Sequence, residues 1–146
     1  MYETILVPTD GSEAARRAAT EAFDIAAETG ATVHLVYVVD EGATSVLFGG
    51  ARLSDVLETL TEEGEEAVAA LEAEADERGV DAVGDVVRGV SVAEAIDDYA
   101  ERVEADLVVM SSHGRHGVEH VLGSTTERTL ARAAVPVLVV PRPGAE

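Results

Sequence analysis

Between Met110 and Arg128 the sequence runs MSSHGRHGVEHVLGSTTER, gathering three histidines, three glycines, two arginines and five Ser/Thr hydroxyls. Three chemistries can be built from such residues. A metal site would use His113, His116 and His120, spaced H-x2-H-x3-H, the last two sharing a face if the segment were helical. Gly114 and Gly117 argue against a helix there, and the surrounding carboxylates do not resemble a known ligand set, so no metal ligand is assigned. A hydrolase would pair Ser111 or Ser112 with His113. Neighbours at an extended strand end point to different sides, however, and the G-x-S-x-G elbow is missing, so no catalytic residue is assigned. A phosphate cradle uses the remaining features. Gly114, Gly117 and Gly123 let backbone amides approach an anion, while Ser124 and Thr125 would offer hydroxyls and unpaired amides at the positive end of a helix.

A second polar turn, PTDGS (8–12), places Asp10 where a carboxylate can accept hydrogen bonds from ribose hydroxyls. Charge separates the two segments from the rest. Residues 115–132 hold Arg115, Arg128 and Arg132 against Glu119 and Glu127, a local sum of +1 in a chain of net charge −19. A polyphosphate finds its most tolerable landing place there.

The elements that must position these residues follow from composition and period. With 146 residues the chain suits one domain, 1–146, with a proper core. All 10 basic residues are Arg against 29 acidic ones, so a P-loop has no lysine to use and nucleic-acid phosphates would be repelled. The absence of cysteine removes disulfides, thiolate metal sites and a cysteine nucleophile. A hydrophobic fraction of 47% is not that of a disordered acidic chain. Such acidity resembles the surface of proteins from a high-salt cytoplasm, where screening relieves self-repulsion. No apolar run approaches the roughly 20 residues that span a bilayer, and the chain starts in a strand pattern without a charged leader. A cytoplasmic protein with no membrane contact is expected.

ETILVPTD (3–10) reads as a buried strand stopped at Pro8, and the next segment is a helix capped by Ser12 and stopped by Gly30, with an alanine face at 15, 18, 19, 22 and 26. TVHLVYVVD (32–40) is a second strand, in which His34 is partly buried, and EGATSVLFGGA (41–51) is expected to be a mobile loop. Leu57, Leu60, Val68, Leu71 and Ala75 make one stripe of an acidic helix over 53–78. A strand at 81–89, a helix at 91–104 capped by Ser91, a strand at 105–112, a helix at 123–134 and a strand at 135–141 complete the pattern. Strictly alternating strands and helices predict an α/β fold, a doubly wound parallel sheet with helices on both faces and right-handed crossovers.

Four segments together, ILVPTDGSEAA, VYVVD, DLVVMSSHGRHG and GSTTERTLARAAVPVLVV, resemble the universal stress protein family along essentially the whole chain. The resemblance implies five strands in the order 3-2-1-4-5, of the adenine-nucleotide alpha-hydrolase-like type, and a homodimer through the last strand, Val135 to Val140. That strand is a short apolar edge that needs covering. For one branch of the family the resemblance also implies an ATP site, with Mg²⁺ as companion ion. Carried over by position, Pro8, Thr9, Asp10 and Val38 would hold adenosine. Met110, Ser111, His113, Gly114 and Arg115 would line ribose and phosphates, and Gly123, Ser124 and Thr125 would cradle the phosphates. That branch carries Gly-x2-Gly-x9-Gly-Ser/Thr, whereas here Ser111 replaces the first glycine and eight residues, 115–122, separate Gly114 from Gly123. Two expectations therefore stand: an ATP-binding stress-response module with at most slow hydrolysis, and a dimeric interaction module of the same family that binds no ATP.

Overall fold

Apolar residues that are covered on both sides make the strands, and small or capping residues make the turns between them. The computed structural model describes residues 2–113 and 122–141. Its elements are β1 (Thr4–Thr9), α1 (Glu13–Thr29), β2 (Thr32–Asp40), α2 (Glu41–Phe48), α3 (Leu53–Glu77), β3 (Ala82–Gly89), α4 (Val92–Arg102), β4 (Leu107–Ser111), α5 (Ser124–Arg132) and β5 (Val137–Val140). The five strands form one sheet in the order β3-β2-β1-β4-β5, every neighbouring pair parallel. The expected doubly wound order is the one observed.

Strand alternation divides the apolar residues between two layers. Ile5, Val7, Val33, Leu35, Val39 and Val109 pack with α1 and α3, whereas Leu6, Val36, Val108 and Met110 pack with Ile96 and Tyr99 of α4. Ala15, Ala18, Ala19, Ala22 and Ala26 are all buried, so α1 lies close on the sheet and Phe23 fills the remaining space. Burying a side chain of that size stabilises by about 1.5–3 kcal/mol. The Ser12 hydroxyl accepts from the Ala15 amide at 3.1 Å, and Gly30, at φ +77°, closes the helix by donating to the Ala26 carbonyl. Helix α3 buries Leu57, Val68, Leu71 and Ala75; most of its carboxylates are exposed, but Glu72 accepts from the Gly84 amide and Glu74 pairs with Arg16 and Arg78. Gly64 is required in its middle, because a Cβ there would stand 2.6 Å from the Tyr37 ring.

Two expectations about the elements fail: β1 runs on through Pro8 to Thr9 instead of stopping at Pro8, and the segment after β2 is not a loop. Residues 41–51 do not form a loop throughout, since Glu41–Phe48 is the helix α2. Asp40 caps it, accepting from the Ala43 amide at 2.9 Å, and Thr44 donates its hydroxyl to the Asp40 carbonyl at 2.6 Å. Thr44 is the one buried residue of α2. A helix held by its cap and a single inward threonine shows no apolar period.

Candidate functional site

The sheet opens where its strand order reverses. β2 is registered with β1 only as far as Tyr37, opposite Thr9, but follows β3 through Val38, Val39 and Asp40. β4 pairs with β1 at Leu107 and Val108, then continues to Ser111 along β5. Beyond Thr9 the strands on either side of β1 therefore part, and a crevice forms at their carboxyl ends. It holds a cavity of about 410 Å³.

Five elements line it. Pro8, Thr9 and Asp10 come from the end of β1; Val36, Val38 and Asp40 come from one face of β2, two residues apart. Val92 and Ile96, one turn apart on α4, form an apolar wall. Met110 and Ser111 end β4, and Gly123 to Thr126 begin α5. Nine residues expected from sequence are thus brought together: Pro8, Thr9, Asp10, Val38, Met110, Ser111, Gly123, Ser124 and Thr125. Val36, Asp40, Val92, Ile96 and Thr126 also line the cavity and were not singled out. Asp40 had a signal, since strand alternation puts it on the face of Val38.

Local hydrogen bonds hold the polar turns. The Thr9 hydroxyl accepts from the Gly11 amide at 3.1 Å and the Asp10 carboxylate from the Ser12 amide at 2.9 Å, so Asp10 is oriented by the turn that starts α1. Across the crevice, Thr126 donates its hydroxyl to the Ser111 carbonyl at 2.8 Å, and the Gly123 amide donates to the Ser112 carbonyl at 2.7 Å. These bonds stitch the start of α5 to the end of β4. Gly123 brings no capping side chain to α5, which leaves first-turn amides to be satisfied by another acceptor. The described lining carries two carboxylates, Asp10 and Asp40, and no cationic side chain.

His113 is buried beside the cavity and does not line it. Its Nδ1 lies 2.8 Å from the Ser112 hydroxyl, and its Nε2 has no hydrogen-bond partner among the described residues. The expectation that these neighbours point apart is corrected: β4 ends at Ser111, so strand alternation no longer governs residues 112 and 113. Both side chains are buried, and among the described residues no acid orients the ring as in a hydrolase triad. Gly114 and Arg115, with His116, Gly117 and His120, lie outside the described residues. Among the described residues no group of three or more His, Asp or Glu can hold a metal ion. His34 sits elsewhere, its ring 6.4 Å from that of Tyr99 in an edge-on contact, and burial lowers its pKa.

A match to the universal stress protein family covers residues 1–141. The chain belongs to the universal stress protein family. It is 39% identical to the universal stress protein MJ0531 of Methanocaldococcus jannaschii, over all of this chain and 86% of that one. The solved structure of MJ0577, a universal stress protein of the same organism, matches with a TM-score of 0.88 and 31% identity over 99% of each chain. A universal stress protein solved in complex with cAMP matches with a TM-score of 0.66 and 25% identity over 96% of this chain and 97% of that one. Among the described residues, no helix is long and apolar enough to cross a membrane.

Proposed function

We propose that the chain is a cytoplasmic, single-domain stress-response protein that binds an adenine nucleotide, ATP with Mg²⁺, in the crevice between β2 and β4. The observation that carries this reading is the convergence of Asp10, the end of β2 and the start of α5 on one cavity at the switch point. The complex of a related universal stress protein with cAMP supports an adenine ligand.

In this reading Asp10 accepts from ribose hydroxyls. Beyond Tyr37 the backbone of β2, Val38 first, lacks a β1 partner in the register and can meet the adenine edge, while Val36, Val92 and Ile96 exclude water from the ring. Pro8, Thr9, Met110 and Ser111 complete the nucleoside end. Gly123, Ser124 and Thr125 receive the phosphates on amides and hydroxyls, together with Gly114 and Arg115, while His113 stays buried beside the cavity. Asp10 and Asp40 are the carboxylates in whose field a Mg²⁺ bound with the phosphates would be held, its charge offsetting theirs. Both carboxylates are engaged in local caps rather than poised as a base, so the module binds and signals, with at most slow hydrolysis. A homodimer through Val135 to Val140 covers the β5 edge, where Leu138 is exposed.

The second reading, an interaction module without ATP, draws on Ser111. Its hydroxyl donates to the His113 carbonyl at 2.7 Å and adds a side chain where the ATP-binding pattern has glycine. Mass identification of small molecules released from the purified, denatured protein tests the proposal. An adenine nucleotide is expected, and a different retained nucleotide would reject ATP as the resident ligand.

A further inference from the structure

We propose that Asp40 selects the base of the bound nucleotide, its carboxylate accepting a hydrogen bond from the 6-amino group of adenine and turning away purines that carry an oxygen at that position. This role rests on the reading that the crevice holds a purine nucleotide with its base at the end of β2. Asp40 lines the cavity, and strand alternation puts its side chain on the same face as those of Val36 and Val38. It is the one charged side chain that the described residues of β2 and α4 bring to the lining; Val36, Val38, Val92 and Ile96 are all apolar.

The backbone sets this carboxylate beside a base edge. Amides of β2 alternate between its two neighbours: Thr32 donates to the Glu3 carbonyl just before β1 and Val33 to the Asp81 carbonyl just before β3, both at 2.9 Å. Even-numbered residues of β2 therefore turn their N–H and C=O towards β1, and Val38 and Asp40 have no β1 residue registered with them. Val38 thus offers the crevice a donor and an acceptor. The Asp40 carbonyl is already taken by the Thr44 hydroxyl at 2.6 Å, which leaves the Asp40 carboxylate as the next acceptor along the strand. Its Oδ1 accepts from the Ala43 amide at 2.9 Å and so fixes the side chain at the start of α2. That helix is itself seated, since a Cβ at Gly42 would collide with the Val90 carbonyl. Oδ2 has no hydrogen-bond or ion-pair partner among the described residues.

An ionised carboxylate accepts hydrogen bonds and donates none. Adenine meets Oδ2 with an N–H. Guanine and hypoxanthine would present a carbonyl oxygen instead, setting acceptor against acceptor and leaving a desolvated charge without a partner. Phosphates are repelled from Asp40 for a related reason, and the uncharged amides and hydroxyls of Gly123, Ser124 and Thr125 receive them. The lining thereby sorts a nucleotide end for end as well as by its base.

The test measures equilibrium binding of three nucleotides with Mg²⁺ to the full chain at high salt: ATP, inosine triphosphate, and purine riboside triphosphate, which has hydrogen in place of the 6-amino group. The parent should bind each of the last two at least about tenfold more weakly than ATP. Asp40→Asn can still cap α2 through its carbonyl oxygen but turns an amide N–H₂ to the base, so the ratio of ATP to inosine triphosphate affinity should fall at least about tenfold. Asp40→Ser also caps α2 and is too short to reach the base, so its ratio should lie between those of the parent and Asp40→Asn. The backbone of Val38 is the same in all three proteins, and a change in the ratio therefore belongs to residue 40. Equal binding of ATP and purine riboside triphosphate by the parent would overturn the role of Asp40 and leave the nucleotide reading standing, as would one ratio shared by all three proteins. Failure of the parent to bind any of the three nucleotides would overturn both.

Discussion

The two ends of the sheet use aspartate in opposite ways. At the amino ends of the strands, Asp106 accepts from the amides of Glu3 and Thr4, at 2.9 and 3.2 Å, and so latches β1 to the start of β4. At the carboxyl ends, Asp10 accepts from Ser12 within its own turn and faces a cavity. The side chains are identical and the difference lies in the backbone around them. β1 begins between neighbours that are already closed over it, and it ends where β2 and β4 separate. A carboxylate at the closed end ties strands together; one at the open end is positioned for a ligand.

The comparison breaks most visibly at Gly123. Gly123→Val should remove measurable nucleotide binding while melting within a few degrees of the parent, read by titration calorimetry and thermal unfolding. Retained affinity would move the phosphates away from the start of α5. Next comes a crossed pair. Asp10→Ala should weaken nucleotide at least about tenfold, or about 1.4 kcal/mol, with little loss of stability. Asp106→Ala should leave affinity unchanged and cost about 1–2 kcal/mol in denaturant unfolding, because two amides lose a charged acceptor. If both substitutions alter only stability, the two ends of the sheet are equivalent and the contrast is wrong.

The smallest effect is at His34, on the α4 face of β2. Burial holds its pKa below 6.5, so the folded protein keeps the ring neutral while the unfolded chain takes up the proton. Its contribution to stability is complete above pH 6.5 and is lost as the pH falls from 6.5 through the folded value. The ring is partly exposed, so the slope is shallow. His34→Gln should flatten it, measured by unfolding at several pH values, without altering nucleotide affinity.

Much of this architecture is legible in the chain because it rests on periods. The alanines of α1, the Ser12 and Gly30 caps and the stripe of α3 are repeated or local signals, and all stand where the spacing puts them. Of the nine expected lining residues, Asp10, Gly123, Ser124 and Thr125 are legible because they follow a strand or start a helix, whereas Pro8, Thr9, Val38, Met110 and Ser111 lie within strands and come from the resemblance to the family. What was missed depends on contacts with no period. α2 is defined by Asp40, one inward threonine and a glycine against Val90, and apolar residues that point outward give the opposite of a burial pattern. Val92, Ile96 and Thr126 join the lining through the packing of α4 and α5 around the crevice, a tertiary relation. The Ser112–His113 hydrogen bond arises because β4 ends one residue earlier.

Equilibrium binding of labelled ATP with Mg²⁺ to the full chain at high salt tests the central claim most directly. The account predicts saturable binding of one nucleotide per chain, displaced by unlabelled adenosine at the Asp10 and Val38 end of the crevice. Absence of binding at millimolar nucleotide would contradict it.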